Sequence, residues 1–123
     1  INLGSISGQM ADPGLALYNA SKAFVHGLTR SIAVDHGPAV RCNAICPGWV
    51  RTPLVEAQIE ARMEAKGTSR QEEARALVIE RQPSGEFVSI EQIAEFADFL
   101  ITSSAGASFN GAALPIDGAW TAQ

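Results

Sequence analysis

Apolar and polar residues follow two different spacings along this chain, one typical of helices and one typical of strands. Residues 15–36 place apolar side chains at helical intervals, whereas residues 40–48 alternate Val, Cys, Ala and Cys with Arg, Asn and Ile, as in a strand that ends at a Pro-Gly turn. Residues 1–5 have the pattern of a strand end, and a last short strand is predicted within residues 111–120. Because strands and helices alternate, the pattern predicts an α/β fold with a parallel sheet and right-handed crossovers.

Further helices are predicted between the second and third strands from their start signals. The signals are Thr52 before Pro53 and two capping boxes, Ser69 with Glu72 and Ser89 with Gln92. Gly67 is expected to end the first of these helices. The last helix is predicted to bury Ile90, Ile93, Ala97, Leu100 and Ile101.

The chain has 123 residues, which is enough for one modest core, and only three strands are predicted. A parallel sheet needs cover on both faces, and three strands are few for an independent domain. We therefore expect the C-terminal half of a Rossmann-like doubly wound parallel sheet, with three strands and their helices. Residues 1–123 would form the C-terminal part of a single domain whose N-terminal half is absent from this sequence.

Composition indicates a folded protein without a preference for anionic partners. Hydrophobic residues make up 46% and charged residues 18%, and the formal net charge is −4 with a pI near 5.0. This charge provides no positive surface for nucleic acid or anionic lipid, and no apolar run approaches the roughly 18 residues that span a bilayer. Neither nucleic acid nor membrane is therefore expected as a partner.

The two cysteines, Cys42 and Cys46, are expected to be buried free thiols. Residues four apart in a straight strand are about 13 Å apart, which is too far for a disulfide. A Cys-x-x-x-Cys pair without a companion His or Cys pair is also a poor metal site. Free thiols are usual in a reducing compartment, so we expect a cytoplasmic protein without a bound metal.

The segment LALYNASK places Tyr18 and Lys22 four residues apart, on one face of the predicted helix. An ammonium beside a phenol favours the phenolate, and a phenol with this help can act as a general acid or base. Ser5, at the end of the first strand, could donate a hydrogen bond to the same substrate oxygen. The Tyr-x-x-x-Lys spacing by itself is weak evidence, because a core tyrosine beside a solvated lysine has the same pattern.

Four segments, INLGSISG, YNASK, RCNAICPGWVRTP and LPIDGAW, together resemble the short-chain dehydrogenase/reductase family over the whole chain. The resemblance implies that Ser5, Tyr18 and Lys22 are catalytic, with Tyr18 as the general acid and base. It implies further that a nicotinamide cofactor is bound by Tyr18, Lys22, Pro47, Gly48, Val50 and Thr52. The family's glycine-rich phosphate loop, which belongs to the N-terminal dinucleotide-binding half of the domain, is not among these residues. The 123 residues alone are therefore expected to be inactive.

Within this family the resemblance extends to bacterial D-3-hydroxybutyrate dehydrogenases, through NAICPGWVRTPLVEAQIEARMEAKG, QPSGEF and DGAWTAQ. It implies an NAD-dependent oxidoreductase that interconverts a short 3-hydroxy acid and its 3-oxo acid, first of all 3-hydroxybutyrate and acetoacetate. The small acid would be bound by Ser5, Trp49, Gln58 and Trp120. Two positions depart from the pattern, since Ser7 replaces a usual His and Leu15 replaces a usual Lys that helps to hold the carboxylate.

Other interpretations remain open from the sequence. The chain could belong to another family member, such as a 3-oxoacyl carrier-protein reductase or a sugar-alcohol dehydrogenase, and NADP is not excluded as the cofactor. Trp49 and Gln58 argue against that alternative, whereas Leu15 keeps it open. A third interpretation is an inactive fragment that keeps only subunit-contact surfaces, because family members commonly form homotetramers through the segments that match residues 15–36 and 90–116.

Overall fold

Three short parallel strands form the sheet of this protein in a computed structural model that describes all 123 residues. The strands are β1 (Asn2–Leu3), β2 (Ala44–Pro47) and β3 (Ala113–Ile116), and they lie side by side in the order β1-β2-β3. In this register Ala44 of β2 pairs with Asn2 on one side and with Ala113 on the other. The predicted α/β fold with three parallel strands is confirmed.

Four helices make the connections between the strands. Helix α1 (Ala16–His36) joins β1 to β2, while α2 (Pro53–Lys66), α3 (Arg70–Ile79) and α4 (Ile90–Thr102) lie between β2 and β3. The predicted start signals are confirmed: the Thr52 hydroxyl accepts a hydrogen bond from a backbone N–H of the first turn of α2, and both capping boxes are formed. Gly67 ends α2 with a φ of 67°, a left-handed conformation that glycine adopts without strain.

The second strand is shorter than the alternating pattern predicts, because residues 40–43 do not join the sheet. The Cys42 N–H donates to the side chain of Asn110 at 2.9 Å, and the Asn43 amide donates to the Phe109 carbonyl at 2.8 Å. Hydrogen bonds with the loop before β3 therefore replace most of the strand ladder there, although the Asn43 carbonyl still accepts from the Asn2 N–H at 2.8 Å. Within β2 every residue is buried, because this strand lies between β1 and β3 and contacts both α1 and α4.

Burial along α4 confirms the prediction fully only for Leu100, because Ile93 and Ala97 are partly exposed. Leu100 is fully buried, but Ile90 and Ile101 are 61% and 63% exposed. They lie on the side of the helix that faces away from the sheet, which no other part of this chain covers. Helix α1 is similar, because its buried residues are His26, Thr29 and Ala33. Its apolar residues at helical spacing include Leu17, which is 89% exposed.

A separate small core joins α2 to α3 and extends to the residues after β2. Its buried members are Val55, Ile59, Ala74 and Leu77, with Trp49, Met63 and Phe87 packed against them. This core fixes the two helices beside the sheet, next to the turn that follows β2. Both cysteines are buried and free, as predicted. None of the helices combines the length and the apolar character needed to cross a membrane.

Candidate active site

A cavity of about 540 Å³ opens beside the turns that follow β1 and β2. Clefts at the carboxyl ends of parallel strands are the usual ligand sites of such sheets. Seven of the residues assigned to a site from the sequence line it, namely Ser5, Tyr18, Pro47, Gly48, Trp49, Gln58 and Trp120. The two positions that depart from the family pattern, Ser7 and Leu15, line the same cavity.

The proton-transfer candidates come from the turn after β1 and from the first turns of α1. Ser5 is buried, and its Oγ accepts a hydrogen bond from the Ser7 N–H at 3.1 Å, which leaves the hydroxyl proton for a ligand. Tyr18 is 45% exposed. The Lys22 ammonium lies 5.7 Å from the centroid of the Tyr18 ring and donates to the Leu3 carbonyl at 3.1 Å. The predicted neighbours Tyr18 and Lys22 therefore meet on one face of α1, close to the end of β1.

Behind Ser5 the turn is packed tightly against a buried imidazole. A Cβ atom at Gly8 would lie 2.8 Å from both the Lys22 carbonyl oxygen and Nδ1 of His26, and one at Gly4 would lie 2.9 Å from Nε2 of His26. The same Nε2 is 3.2 Å from Sγ of Cys46. Burial is the main cause that lowers the pKa of His26, and burial raises the pKa of the Cys46 thiol. Both groups are uncharged at neutral pH, so close packing rather than ion pairing holds this corner together.

The turn after β2 depends on the buried side chain of Gln82. Its Oε1 accepts a hydrogen bond from the Trp49 N–H, and its Nε2 donates to the Glu86 carbonyl at 2.7 Å. A Cβ at Gly48 would collide with this same Oε1 and would approach Cα of Asp117 at 3.1 Å. Glycine is therefore required where the turn passes close to Gln82.

Two indoles form one wall of the cavity. The ring centroids of Trp49 and Trp120 are 5.5 Å apart with an angle of 44° between the planes. Asp117 fixes the turn that carries Trp120, since its carboxylate accepts from the Thr121 N–H at 2.8 Å and the Thr121 hydroxyl at 2.7 Å. The indole N–H groups of Trp49 and Trp120 are buried and have no hydrogen-bond partner in the chain.

A further part of the cavity lining comes from α2, α3 and the residues that follow α3, and it is charged. Arg62 joins the two helices through ion pairs with Glu73 and Glu80, and Lys66 adds a second pair to Glu73 at 3.0 Å. Hydrogen bonds from Arg62, Lys66 and Thr68 lower the pKa of Glu73 to about 2. This wall therefore keeps its charge pairs throughout the neutral pH range.

Three residues assigned to the site lie outside the cavity lining. Lys22 reaches the Leu3 carbonyl, Val50 forms an isolated bridge with Val88, and Thr52 caps α2. Conversely, Asp12, Arg62 and Arg81 line the cavity but were not singled out from the sequence. No local pattern marks them, because each reaches the cavity through the packing of distant segments.

Comparison with known proteins identifies relatives across the whole chain. A family model described as enoyl-(acyl carrier protein) reductase matches residues 1–121. D-beta-hydroxybutyrate dehydrogenase of Cupriavidus necator is 41% identical over 124 aligned positions, which cover 100% of this chain and 48% of that protein. The chain thus spans about half the length of this curated relative.

Solved structures give the same picture of the fold. A short chain dehydrogenase family protein from Francisella tularensis superimposes with a TM-score of 0.87 at 30% identity, over 98% of this chain and 50% of that one. A 4-hydroxyisoleucine dehydrogenase complexed with NADH superimposes with a TM-score of 0.83 at 31% identity, over 99% of this chain and 46% of that one. By sequence and by fold, this chain belongs to the short-chain dehydrogenase/reductase family of oxidoreductases.

Proposed function

We propose that this chain carries the catalytic residues of an NAD-dependent oxidoreductase that interconverts a short 3-hydroxy acid and its 3-oxo acid. The first pair to test is 3-hydroxybutyrate and acetoacetate. The observation that carries the proposal is that Ser5 and Tyr18 share one cavity with Trp49, Gln58 and Trp120. The 41% identity to a D-beta-hydroxybutyrate dehydrogenase supports this choice of substrate.

Proton transfer is assigned to Tyr18. In the reducing direction its hydroxyl gives a proton to the ketone oxygen as hydride reaches the carbon, and in the oxidising direction it takes the proton back. The free hydroxyl proton of Ser5 is available to bind the same substrate oxygen. The Lys22 ammonium lies 5.7 Å from the centroid of the Tyr18 ring, so a positive charge stands beside the ring whose hydroxyl would exchange the proton.

The groups beside the cavity fit a nicotinamide cofactor. Lys22 makes one hydrogen bond through Nζ, so the ammonium keeps further N–H donors for ribose hydroxyl groups. The ring and its carboxamide would be held by Pro47, Gly48, Val50 and Thr52, with Tyr18 near the ribose. When bound, the nicotinamide supplies or accepts the hydride. NAD is the proposed form, by analogy with the 4-hydroxyisoleucine dehydrogenase complexed with NADH.

The walls of the cavity suit a short substrate. Trp49 and Trp120 offer flat apolar surfaces on one side, and Gln58 offers an amide that can donate to a carboxylate. A cavity of about 540 Å³ also leaves room for the nicotinamide ring beside a four-carbon acid.

The proposal also includes the domain to which the chain belongs, its location and its assembly. Residues 1–123 would form the C-terminal part of one short-chain dehydrogenase domain in a cytoplasmic homotetramer. The exposed apolar residues of α1 and α4, among them Leu17, Phe24, Ile90 and Ile101, would supply contacts between subunits. Light scattering during size-exclusion chromatography tests the assembly, and a monomer would contradict this part of the proposal.

The test of the function uses the full-length gene product that contains these 123 residues, called the complete protein below. The absorbance of the reduced nicotinamide would be followed with NAD or NADP as the cofactor. The substrates compared would be 3-hydroxybutyrate, a sugar alcohol and, in the reducing direction, a 3-oxoacyl carrier protein. We expect turnover of 3-hydroxybutyrate with NAD to exceed the others. Turnover of only the carrier-protein thioester or only the sugar alcohol would replace the proposed substrate by one of these classes.

A further inference from the structure

Gln82, which follows α3, is a polar residue with no exposed surface. It is not among the residues that line the cavity, so it is not placed to bind a substrate itself. An amide that is buried so completely costs free energy unless both of its polar atoms are hydrogen-bonded. The partners of those two atoms therefore show what this side chain holds in place.

Both polar atoms of Gln82 bind backbone groups next to the indole wall. Oε1 accepts a hydrogen bond from the Trp49 N–H, and Nε2 donates to the Glu86 carbonyl at 2.7 Å. The Trp49 carbonyl in turn accepts from the Val88 N–H at 2.9 Å. Both backbone polar groups of Trp49 are thus held by residues 82–88, which connect α3 to α4, and the side-chain amide supplies one of the two bonds.

The same amide packs against the turn that carries the second indole. A Cβ atom at Gly118 would lie 3.3 Å from Nε2 of Gln82, and one at Gly48 would collide with its Oε1. The Gly118 carbonyl also accepts from the Ser84 N–H at 3.1 Å. Gln82 therefore lies between the turn after β2 and the turn after β3, and each of these turns presents one indole to the cavity.

The placement of the two indoles limits the space for a substrate. Trp49 and Trp120 line the cavity with their ring centroids 5.5 Å apart. In an apolar pocket of fixed shape, one additional methylene changes the discrimination between substrates by about 10-fold or more. A turn that has lost its hydrogen bond to Gln82 can move and admit a longer chain. Selection by chain length therefore depends on how firmly the two turns are held.

We propose that Gln82 is a positioning residue that fixes the indole wall and thereby makes the enzyme select four-carbon hydroxy acids over longer ones. This inference rests on the proposed function, since it concerns the chain length of the same substrate. Gln82 acts through Trp49, which lines the cavity. The role requires an amide, because one atom must accept a hydrogen bond while the other donates one.

The test compares kcat/KM of the complete protein for 3-hydroxybutyrate with kcat/KM for 3-hydroxyhexanoate. Gln82→Met keeps the length of the side chain and removes both hydrogen bonds. We expect the ratio of the two values, four-carbon over six-carbon, to fall by about 10-fold. Gln71→Met, the same change at an exposed position of α3, should leave the ratio as in the unaltered protein. An unchanged ratio in Gln82→Met would overturn the inference.

Gln82→Glu distinguishes positioning from a general loss of stability. A protonated carboxyl group can accept from the Trp49 N–H and donate to the Glu86 carbonyl, whereas an ionised one cannot donate. The ratio should therefore approach that of the unaltered protein at acidic pH and fall as the carboxyl group ionises, at a pH raised by its burial. Proton transfer by Tyr18 is common to both substrates and cancels in the ratio. A ratio as low as that of Gln82→Met at every pH would contradict this role of the amide.

Hydrogen exchange separates this inference from the proposed function, because it requires no turnover. Mass spectrometry of the peptide that contains Trp49 should show faster amide exchange in Gln82→Met than in Gln71→Met. Faster exchange in a protein that turns over neither hydroxy acid would keep Gln82 as the support of this turn and reject the proposed reaction. Equal exchange in the two variants would overturn the inference, whichever substrate the protein uses.

Discussion

The wall of the cavity formed by β1, its following turn and α1 is held by close packing, whereas the wall formed by α2 and α3 is held by ion pairs. In the first, Gly4 and Gly8 approach His26 so closely that neither has room for a side chain. In the second, Arg62 and Lys66 surround the buried carboxylate of Glu73. The tightly packed wall carries Ser5 and Tyr18, and the proton transfer proposed for Tyr18 requires reacting groups held at hydrogen-bond distance.

The contrast also predicts that the two walls respond differently to salt. Packing contacts respond little to salt, but exposed ion pairs weaken as ionic strength rises. Arg70 of α3 forms ion pairs with Glu56 and Glu60 of α2, and its side chain is 46% exposed. The wall formed by α2 and α3 is therefore expected to be the more sensitive of the two to ionic strength.

The largest expected effect on stability comes from filling the space between the turn and His26. In Gly8→Ala the new Cβ would meet the Lys22 carbonyl oxygen at 2.8 Å, and backbone cannot rotate away as a side chain can. We expect the free energy of unfolding to fall by about 1–3 kcal/mol. The adjacent exposed substitution Gln9→Ala should change it by less than about 0.5 kcal/mol in the same denaturant titration. Equal stabilities would show that the turn is not packed as described.

The next effect is a pH dependence of stability, which His26 in the packed wall causes. Burial lowers the pKa of His26 below its ordinary value of 6.5, so the unfolded chain binds more protons than the folded chain just below pH 6.5. The stability contributed by His26 is therefore complete above this value and is lost as the pH falls below it. Melting temperatures of His26→Asn should lack this part of the slope, and His36→Asn, at an exposed position, should keep it. Identical slopes in all three proteins would contradict the burial of an uncharged imidazole.

A further effect, at lower pH, belongs to the charged wall. The pKa of Glu73 is lowered from 4.5 to about 2, so its contribution to stability is complete above about pH 4.5 and is lost as the pH falls toward 2. Glu73→Gln should flatten the melting-temperature curve in this interval. Glu64→Gln, an exposed position on α2 with no ion pair, should reproduce the unaltered curve. If Glu64→Gln flattened the curve as much, the dependence would not come from the pairs between α2 and α3.

Local sequence patterns predicted the elements of this fold but not which surfaces they bury. The caps at Thr52, Ser69 and Ser89 involve neighbouring residues only, and all three are formed as predicted. The exposure of Ile90 and Ile101 could not be predicted in the same way, because helical spacing identifies an apolar face without showing what covers it. The short β2 has a similar cause, since the hydrogen bonds of residues 42 and 43 go to a loop far along the chain.

The candidate site was also predicted only in part from local sequence patterns. Motifs indicated Ser5, Tyr18, Trp49, Gln58 and Trp120, and these residues line one cavity. The contact between Asp12 and Arg81 was not predicted, because the two residues lie in segments that meet only after folding. A free guanidinium cannot be distinguished from a saturated one, such as that of Arg62, until the ion pairs of the folded chain are known.

The central claim is that Tyr18 transfers the proton, and its most direct test is the kcat of Tyr18→Phe in the complete protein. The substitution keeps the ring and removes only the hydroxyl group. With saturating 3-hydroxybutyrate and NAD, the account predicts that kcat falls by about 100-fold or more while the dissociation constant of the acid stays unchanged. A Phe variant that turns over as fast as the unaltered protein would contradict the claim.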